Sequence, residues 1–259
     1  MPNIPITACI ITYNEADRIE ACIQSLDFCE EIIVIDSGST DDTARLASEL
    51  GAKVLYRKFD GFRSQKQFAV EQSRNDWVIC MDADEVVSPK LKSNILASRN
   101  RNFDGNSGIR YARRSYYFNR YLNHGIIYPD RVFRLFNKNQ AGWFGDREIH
   151  EFVVNHGKTG IIKGDLLHYP YRNFGHHIDK MRTYARMMAE YRFAKGAKPS
   201  ILKLLTSPLS LLIRGLVFRL GFLDGWQGIV FHLVMAFYSL QKELFLFDLH
   251  ELNKQSQNQ

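Results

Sequence analysis

The first ninety residues constrain the fold most, because short apolar runs alternate there with amphipathic segments. Each run has the length of a strand buried on both faces. The segments between the runs repeat apolar residues at helical spacing, as Ile19, Cys22, Ile23 and Leu26 do. The four runs cover residues 6–11, 31–35, 53–56 and 77–81. This alternation predicts an α/β fold with a mostly parallel, doubly wound sheet.

The rest of the chain changes character twice. Residues 100–170 are rich in Tyr, Arg and Gly and contain short strand-like pieces, which favours a mixed sheet extension with long loops. A helix is expected over Ile178 to Lys195, followed by a hinge at Gly196 to Pro199 and a strongly apolar C-terminal part. We therefore divide the chain into a catalytic domain, 1–195, with a nucleotide-binding half, 1–100, and an acceptor-side half, 101–195, and a helical extension, 196–259.

Polar residues follow three of the four predicted strands. Thr12-Tyr13-Asn14-Glu15 comes after the first strand, Asp36 after the second, and Asp82-Ala83-Asp84 after the fourth. Ligands of open parallel sheets bind beyond the carboxyl ends of the strands. Three such coincidences at one edge predict a single site.

The two aspartates after the fourth strand raise the question of what compensates them. On an extended chain, Asp82 and Asp84 would point the same way and repel each other unless a cation lay between them. An all-oxygen set favours Mg²⁺ or Mn²⁺. A solvated acidic turn before a helix is the alternative, and Glu85 has no role assigned by the pattern.

The net charge and the cysteine content limit which partners and which cellular compartment are expected. The net charge of +6 favours anionic partners without choosing among them, and nucleic-acid binding has no support beyond that charge. The four cysteines form no CxxC pair and no zinc spacing. The N-terminus shows no basic segment followed by a long apolar run. A cytosolic location is expected.

Three blocks in this order and spacing resemble inverting family 2 glycosyltransferases of the GT-A fold. They are Ile11–Glu15, Val34–Thr43 and Cys80–Glu85. The remainder is similar to the bacterial lipopolysaccharide-core subgroup that adds a β-1,4-glucose to heptose. The blocks of that second resemblance are Gly145–Glu151, His168–Pro170 and Gly221–Gly225.

The resemblance implies a UDP-sugar donor, a lipopolysaccharide core acceptor and a divalent metal, Mg²⁺ or Mn²⁺. It implies a nucleoside pocket lined by Thr12, Tyr13, Asn14 and Glu15, with Asp36 at the uracil edge. Asp82 would contact ribose or metal, Asp84 would ligate the metal on the diphosphate, and Lys66 would lie near the nucleotide. His168 is either a further metal or diphosphate contact or a structural histidine. The QxxRW signature of processive members is absent, so repeated addition is not expected.

An inverting transfer needs a base, and a carboxylate is expected to serve. The candidates are Asp146, Glu148 and Glu151, all in one glycine-containing segment. Glu151 matches the His-Glu position of the family and is the first choice, with Asp146 second. A salt-bridged loop carboxylate is the alternative for each of them, and His150 is expected to be structural.

The C-terminal extension mixes leucines and isoleucines with Lys203, Arg214 and Arg219. No stretch of ~20 uncharged residues is present, so a membrane span is not expected. Amphipathic helices lying on the inner face of the inner membrane, or packed on the catalytic domain, fit this pattern. An ordinary helical subdomain or an oligomer contact is the alternative.

Three rival functions share some of these features. Asp82-x-Asp84-x-Val86 after an apolar strand also fits a haloacid-dehalogenase-like phosphatase with Asp82 as nucleophile. That family carries the motif on its first strand, whereas three strands precede it here. A nucleotidyltransferase would need a glycine-rich loop after the first strand, and a binding module without activity would retain only the fold. The donor sugar and the acceptor, including other surface glycans or lipids, stay open.

Overall fold

The computed structural model describes residues 4–144 and 152–257. The chain divides into two compact units. The first, called here the sheet unit, comprises Met1–Arg113 and Asp130–His168. The second, the helical unit, comprises Arg114–Pro129 and Tyr169–Gln259.

Strands and helices alternate through the first hundred residues and separate afterwards. The strands are β1 Ile6–Thr12, β2 Glu31–Asp36, β3 Lys53–Tyr56, β4 Trp77–Asp82, β5 Glu85–Val87, β6 Gly108–Tyr117, β7 Arg120–Tyr121, β8 Asp130–Asn137, β9 Ala141–Phe144, β10 Phe152–Asn155 and β11 Thr159–His168. The helices are α1 Ile19–Gln24, α2 Thr43–Glu49, α3 Phe62–Glu71, α4 Pro89–Asn100, α5 Phe174–Ala194, α6 Ile201–Leu212 and α7 Gly225–Gln257. A π-helical turn, Ile213–Phe218, follows α6, and a short 3₁₀ turn, Gly221–Asp224, precedes α7.

The main sheet is mixed. Within the described residues it has nine strands in the order β3-β2-β1-β4-β8-β6-β11-β5, with β7 paired to β6. β1, β2, β3 and β4 are parallel. Beyond β4 the pairs β4–β8, β8–β6 and β11–β5 are antiparallel. The parallel half carries the helices expected of βαβ units, and the antiparallel half extends the sheet past β4.

The core lies on both faces of this sheet because side chains of a strand alternate between its faces. All seven residues of β1 are buried. Ile6, Ala8 and Ile10 belong to one apolar cluster, whereas Cys9 and Ile11 belong to the other. This double burial explains why the strand reads as an unbroken apolar run.

Helix α4 begins where its sequence predicts. The Ser88 side chain accepts a hydrogen bond of 3.2 Å from the Leu91 backbone N–H, and Pro89 occupies the first helical position. A serine cap followed by proline satisfies an otherwise unpaired N–H and pre-sets the helical φ angle.

Asp224 and His232 organise the helical unit. Asp224 is buried and accepts the backbone N–H groups of Asn123 and His124, both at 2.8 Å. The His232 ring is packed against glycines: a Cβ added at Gly125 or Gly215 would lie within 2.2 or 2.1 Å of it. The Gly221–Gly225 block noted in the sequence therefore has a structural role, since it holds the 123–125 loop against α7.

The α/β class and the helical C-terminal part are confirmed, as are the starts of the first four strands. The sheet itself is mixed, with the parallel strands confined to its first half. The compact units group α5 with the C-terminal helices, because α5 packs along α7, whereas the division at residue 195 places it with the catalytic half. The domain limits stay a prediction.

Candidate active site

The strand ends bring the expected polar residues to one edge of the sheet unit. Thr12 at the end of β1 is paired with Asp36 at the end of β2. On the other side of β1, Ile11 is paired with Asp82 at the end of β4. Neighbouring strands lie about 4.8 Å apart, so Asp36, Thr12 and Asp82 form a short row along this edge.

The loop after β1 is bound to the loop after β2. The backbone N–H of Asn14 donates to Ser39 Oγ at 2.9 Å, and the Asn14 side chain accepts the Thr40 N–H at 2.8 Å. The Glu15 N–H donates to Thr43 Oγ1 at 2.9 Å. Asn14 adopts a positive φ of 54°, a conformation that asparagine tolerates better than most residues. These bonds give the Thr12–Glu15 segment a defined shape before any ligand is bound.

Asp36 is buried and is bonded within its own loop. One carboxylate oxygen accepts the N–H groups of Gly38 and Ser39, both at 2.9 Å, and the other accepts the Ser39 hydroxyl. By contrast, Thr12 is buried with a hydroxyl that has no hydrogen-bond partner among residues 4–144 and 152–257. Tyr13 is half exposed beside it. The assignment of these residues to a nucleoside pocket stays a prediction.

Asp82 lies between two buried cations. Lys66 Nζ is 3.0 Å from one carboxylate oxygen, and Arg134 is 3.0 Å from the other. Burial opposes the charge of Asp82, but Lys66 and Arg134 outweigh it and hold the pKa of this carboxyl well below its usual range. Asp82 is therefore ionised at neutral pH.

Arg134 was missed by sequence reasoning, although its strand carried a signal. It is buried in β8 with Phe133, Leu135 and Phe136, which are buried as well. A buried arginine needs a compensating carboxylate. The sequence pattern Val-Phe-Arg-Leu-Phe thus implied an acidic partner, but only the β4–β8 pairing identifies that partner as Asp82.

Glu85, which had no role from the sequence, is the fully buried centre of this charge network. Its carboxylate accepts the backbone N–H of Asp82 at 3.0 Å and the Arg113 side chain at 3.2 Å. Arg134 lies 3.9 Å away, and Arg113 also contacts Asp130 at 2.7 Å. Glu85 therefore fixes the turn after β4 and compensates two arginines.

Asp84 has different surroundings from Asp82. Its carboxylate lies 3.5 Å from His168 Nε2, and both side chains are partly exposed. The β5–β11 pairing brings them together, because His168 is opposite Glu85 in the register. Ala83 and Asp84 form a turn between β4 and β5, so Asp82 and Asp84 are not neighbours on one extended strand as the sequence analysis assumed.

The Asp84–His168 pair fits a divalent cation as a partial donor set. A carboxylate oxygen suits Mg²⁺ or Mn²⁺, and a ring nitrogen adds a second donor. No group of three or more His, Cys, Asp or Glu residues able to hold a metal occurs among the described residues. A cation bound there would need further ligands from substrate phosphates or water. Both oxygens of Asp82 face cations, which makes Asp82 the poorer donor.

Trp143 covers the two cations beside Asp82. Its ring centroid lies 5.1 Å from Lys66 Nζ and 5.3 Å from the Arg134 guanidinium carbon. The indole N–H donates to Cys80 Sγ at 3.4 Å. Because Trp143 is buried, its ring supports the charge network rather than offering a face to a sugar.

The candidate bases Asp146, Glu148 and Glu151, and the neighbouring His150, lie outside the described residues. They stand in the chain between β9 and β10, whose ends Phe144 and Phe152 are paired. Their assignment stays a prediction.

Polar residues at the carboxyl ends of β1, β2 and β4 stand where open α/β sheets bind their ligands. The family model described as glycosyl transferase family 2 matches residues 7–162. The lipopolysaccharide core biosynthesis glycosyltransferase LpsC of Rhizobium meliloti (strain 1021) is 31% identical over 252 residues, which cover 91% of this chain and 92% of LpsC. The chain belongs to glycosyl transferase family 2.

One more relative and one solved structure are also similar to this chain. An uncharacterized glycosyltransferase of Rickettsia felis is 32% identical over 251 residues, covering 90% of this chain and 86% of that protein. Among solved structures, S. aureus TarS in complex with UDP-GlcNAc matches with a TM-score of 0.47 and 12% identity, over 71% of this chain and 66% of that chain.

Proposed function

We propose that this chain is a non-processive, inverting glycosyltransferase that moves a hexose from a UDP-sugar to a heptose of the lipopolysaccharide inner core. Glucose is the first candidate for that hexose. The observation that carries the proposal is the row of Thr12, Asp36 and Asp82 at one sheet edge, next to the Asp84–His168 pair. The similarity to LpsC, whose name places it in lipopolysaccharide core biosynthesis, supports the acceptor class.

On the donor side, the bonded Thr12–Glu15 segment and Asp36 receive the nucleoside. The unpartnered Thr12 hydroxyl is a buried polar group that a ligand atom would satisfy. Lys66 and Arg134 keep Asp82 ionised, and Lys66 adds positive charge on the side where the diphosphate would lie. Negative charge that builds up on the departing UDP is stabilised by preorganised cations of this kind.

Asp84 and His168 are proposed to hold Mg²⁺ or Mn²⁺ against the diphosphate. The bound ion would supply Lewis-acid stabilisation of the leaving group. Asp82 is assigned to ribose rather than to the ion, since both of its oxygens are already paired with cations.

The transfer is a single displacement. The acceptor oxygen forms its bond to the anomeric carbon while the bond from that carbon to the UDP oxygen breaks. The acceptor hydroxyl proton passes to a carboxylate, for which Glu151 is the first candidate and Asp146 the second. Inversion follows because attack and departure occur on opposite faces of the sugar.

Transfer to another surface glycan or lipid is the second candidate, because the acceptor side of the site is the part with least support. The phosphatase alternative loses its support. Asp82 ends the fourth strand along the chain, and each of its oxygens contacts a cation, which lowers the nucleophilicity of the carboxylate. An acyl-phosphate detected on Asp82 would restore that alternative.

The test is transfer, or slow hydrolysis, with a panel of UDP-sugars in the presence and absence of Mg²⁺ and Mn²⁺. We expect one UDP-sugar to be preferred and a chelator to stop the reaction.

Two variants test the metal site directly. Asp84→Asn and His168→Gln should weaken the binding of Mn²⁺, which electron paramagnetic resonance measures in the absence of donor and acceptor. Glu71→Gln, on the exposed end of α3, is the matched carboxylate control. Activity without any divalent ion would overturn the metal assignment.

Glu151→Gln tests the base. We expect this variant to bind UDP as the wild type does and to lose transfer, because a carboxamide cannot accept the proton. Asp146→Asn is the companion variant. If Glu151→Gln turns over at a near-normal rate while Asp146→Asn does not, Asp146 is the base and the first choice is wrong.

The acceptor class also implies a location. We propose that the protein works in the cytoplasm as a peripheral protein at the inner face of the inner membrane, where a lipid-linked acceptor would be presented. Self-association is an open part of this proposal, and nucleic acid is not among the proposed partners.

A further inference from the structure

The segment from Ile201 to Phe218 is the most exposed apolar part of the helical unit. It comprises α6 and the π-helical turn, and no residue of α6 is buried. Only 6% of the whole stretch is buried. Exposed apolar area on this scale is unusual for a surface that faces only water.

The exposed apolar side chains form a row along the segment. Residues four apart lie on one face of a helix. Five such residues are each between 43 and 68% exposed, and they are Ile201, Leu205, Leu209, Ile213 and Val217. We call this row the apolar stripe.

Polar and cationic side chains occupy the adjoining sector. At about 100° per residue, Lys203, Thr206, Ser210 and Arg214 fall next to the stripe, and all four are exposed. The remaining side of the helix packs against α7. The exposed half of the segment is thus amphipathic, with an apolar sector bordered by positive charge.

The charge around the stripe has one sign. No acidic residue occurs from Tyr191 to Leu223, while Lys203, Arg214 and Arg219 lie within that stretch. A protein partner with an apolar groove would not require this. An anionic lipid surface matches both features, because acyl chains accept the stripe and headgroups attract the bordering cations.

A second apolar cluster follows the stripe in the chain. Phe218, Leu220, Phe222, Leu223 and Trp226 are all exposed. We call them the turn cluster. Tryptophan and leucine at the boundary between apolar chains and water are typical of membrane-surface segments.

By length and composition alone, Ile201–Phe218 and Gly221–Ser256 would also qualify as membrane spans. Eighteen helical residues reach about 27 Å, slightly less than a hydrocarbon core of about 30 Å, and this span would carry Lys203 and Arg214. Within α7, Glu243 is buried against Arg192 of α5 at 2.6 Å. A helix whose middle packs on a protein helix through an ion pair is not surrounded by lipid.

We propose that the apolar stripe and the turn cluster dock this protein in the plane of an anionic phospholipid bilayer. The stripe enters the boundary between headgroups and acyl chains, while Lys203, Arg214 and Arg219 contact anionic headgroups. This inference deepens the proposed peripheral location and rests on it. Its test uses vesicles without donor or acceptor, so a failure here would leave the sugar-transfer proposal untouched.

Trp226 provides an intrinsic probe. It is 54% exposed, whereas the other two tryptophans, Trp77 and Trp143, are buried. On addition of phosphatidylcholine vesicles that contain phosphatidylglycerol, we expect a blue shift of the emission and quenching by lipids brominated near the headgroup end of the chain. Trp226→Phe should remove both signals while binding in a sedimentation assay persists. Unchanged emission of the wild type with these vesicles would overturn the proposal.

Substitutions separate the contribution of apolar burial to vesicle binding from the contribution of the cations. Leu205→Glu together with Leu209→Glu should reduce vesicle binding at least ~10-fold, because each leucine contributes apolar burial. Lys203→Gln and Arg214→Gln should each reduce it about 5-fold on anionic vesicles only. Leu252→Glu, an exposed leucine near the end of α7, is the matched control and should bind as the wild type does. Circular dichroism and UDP binding show that each variant is folded.

Three further results would overturn the proposal. The first is wild-type binding by the Leu205/Leu209 double variant. The second is a wild-type dimer in sedimentation equilibrium that the double variant converts to a monomer without any vesicle binding by either, since the stripe would then contact a second copy. The third is wild-type protein that resists carbonate extraction from cell membranes, which would indicate a span.

Discussion

The charge network beside Asp82 and the cations that border the apolar stripe both consist of lysine and arginine, but the two groups differ in how their charge is balanced. We call Lys203, Arg214 and Arg219 the stripe border. Lys66, Arg134 and Arg113 are paired with Asp82, Glu85 and Asp130 at 2.7 to 3.2 Å within the sheet unit. Lys203, Arg214 and Arg219 are exposed in a stretch without acidic residues. The same residue types therefore shape a site in one region and offer charge to a partner in the other.

This difference explains why the net charge of +6 says little by itself. The cations of the network are offset within a few ångströms, so they act locally and contribute little to the field outside the protein. The exposed cations of the stripe border act at a distance and respond to salt. A formal charge counts both groups alike.

The largest expected difference in stability is between two variants that each lose one cation, one in the charge network and one in the stripe border. Arg134→Met leaves Asp82 and buried Glu85 with less compensation, and we expect a loss of about 3–5 kcal/mol in the free energy of unfolding. Arg214→Met removes an exposed cation and should change that free energy by less than ~0.5 kcal/mol. Urea unfolding of both variants makes the comparison. Equal losses would mean that the two regions do not differ as described.

The next effect concerns acidification of the helical unit. His177 is buried, with its Nδ1 2.9 Å from the Tyr117 hydroxyl and its Nε2 without a partner among the described residues. Burial, together with Lys180 and His176, lowers the pKa of His177 to about 4. The folded state therefore disfavours the protonated form of His177.

The sign of the pH dependence follows from that pKa. In the unfolded chain His177 binds its proton near pH 6.5, so its contribution to stability is complete above that pH and is lost as the pH falls toward 4. We expect a loss on the order of 1–3 kcal/mol over this window. In His177→Gln, the urea midpoint should depend less on pH between pH 6.5 and 4 than it does in the wild type. A wild-type midpoint that is constant over the window would contradict the prediction.

A smaller effect is expected from Asp82 at lower pH. Its pKa is held below the usual range, so its stabilising contribution is present above the unfolded value of about 4 and is lost as the pH falls from there. The side chain is 26% exposed, which screens the interaction, and we expect on the order of 1–2 kcal/mol. Asp82→Asn should weaken the dependence of unfolding on pH below 4. Comparison with His177→Gln then assigns each part of the acid curve to one region.

Much of this arrangement follows from local sequence patterns, and the rest depends on pairings between distant segments. The parallel half of the sheet and the polar row at its edge were predictable because burial and strand–helix alternation are periodic signals. The partner of Asp84 is 84 positions away, and only the β5–β11 register brings His168 to it. Likewise, Glu85 could not be assigned from sequence, since its arginines lie on β6 and β8.

One prediction about the site is wrong for a related reason. The sequence pattern puts Asp82 and Asp84 on adjacent rungs of one strand, but the chain turns between them and gives each a different partner. The mixed extension of the sheet after residue 100 is confirmed, whereas the order in which its strands pair has no local signal. Turns and antiparallel extensions depend on tertiary pairing, which a local pattern does not encode.

The smallest expected effect is that of salt, which should weaken vesicle binding through the stripe border while it leaves the stability of the charge network nearly unchanged. Raising the ionic strength from about 0.1 M to about 1 M shortens the screening length from ~10 Å to ~3 Å. Exposed Lys203 and Arg214 would then attract anionic vesicles more weakly, and we expect binding to fall several-fold. The Lys66–Asp82–Arg134 contacts, at 3.0 Å, are no longer than the screening length at about 1 M and are largely shielded from solvent, so the urea midpoint should move little. If salt instead lowers the urea midpoint and leaves vesicle binding unchanged, solvent reaches the network and the stripe binds without the help of its cations.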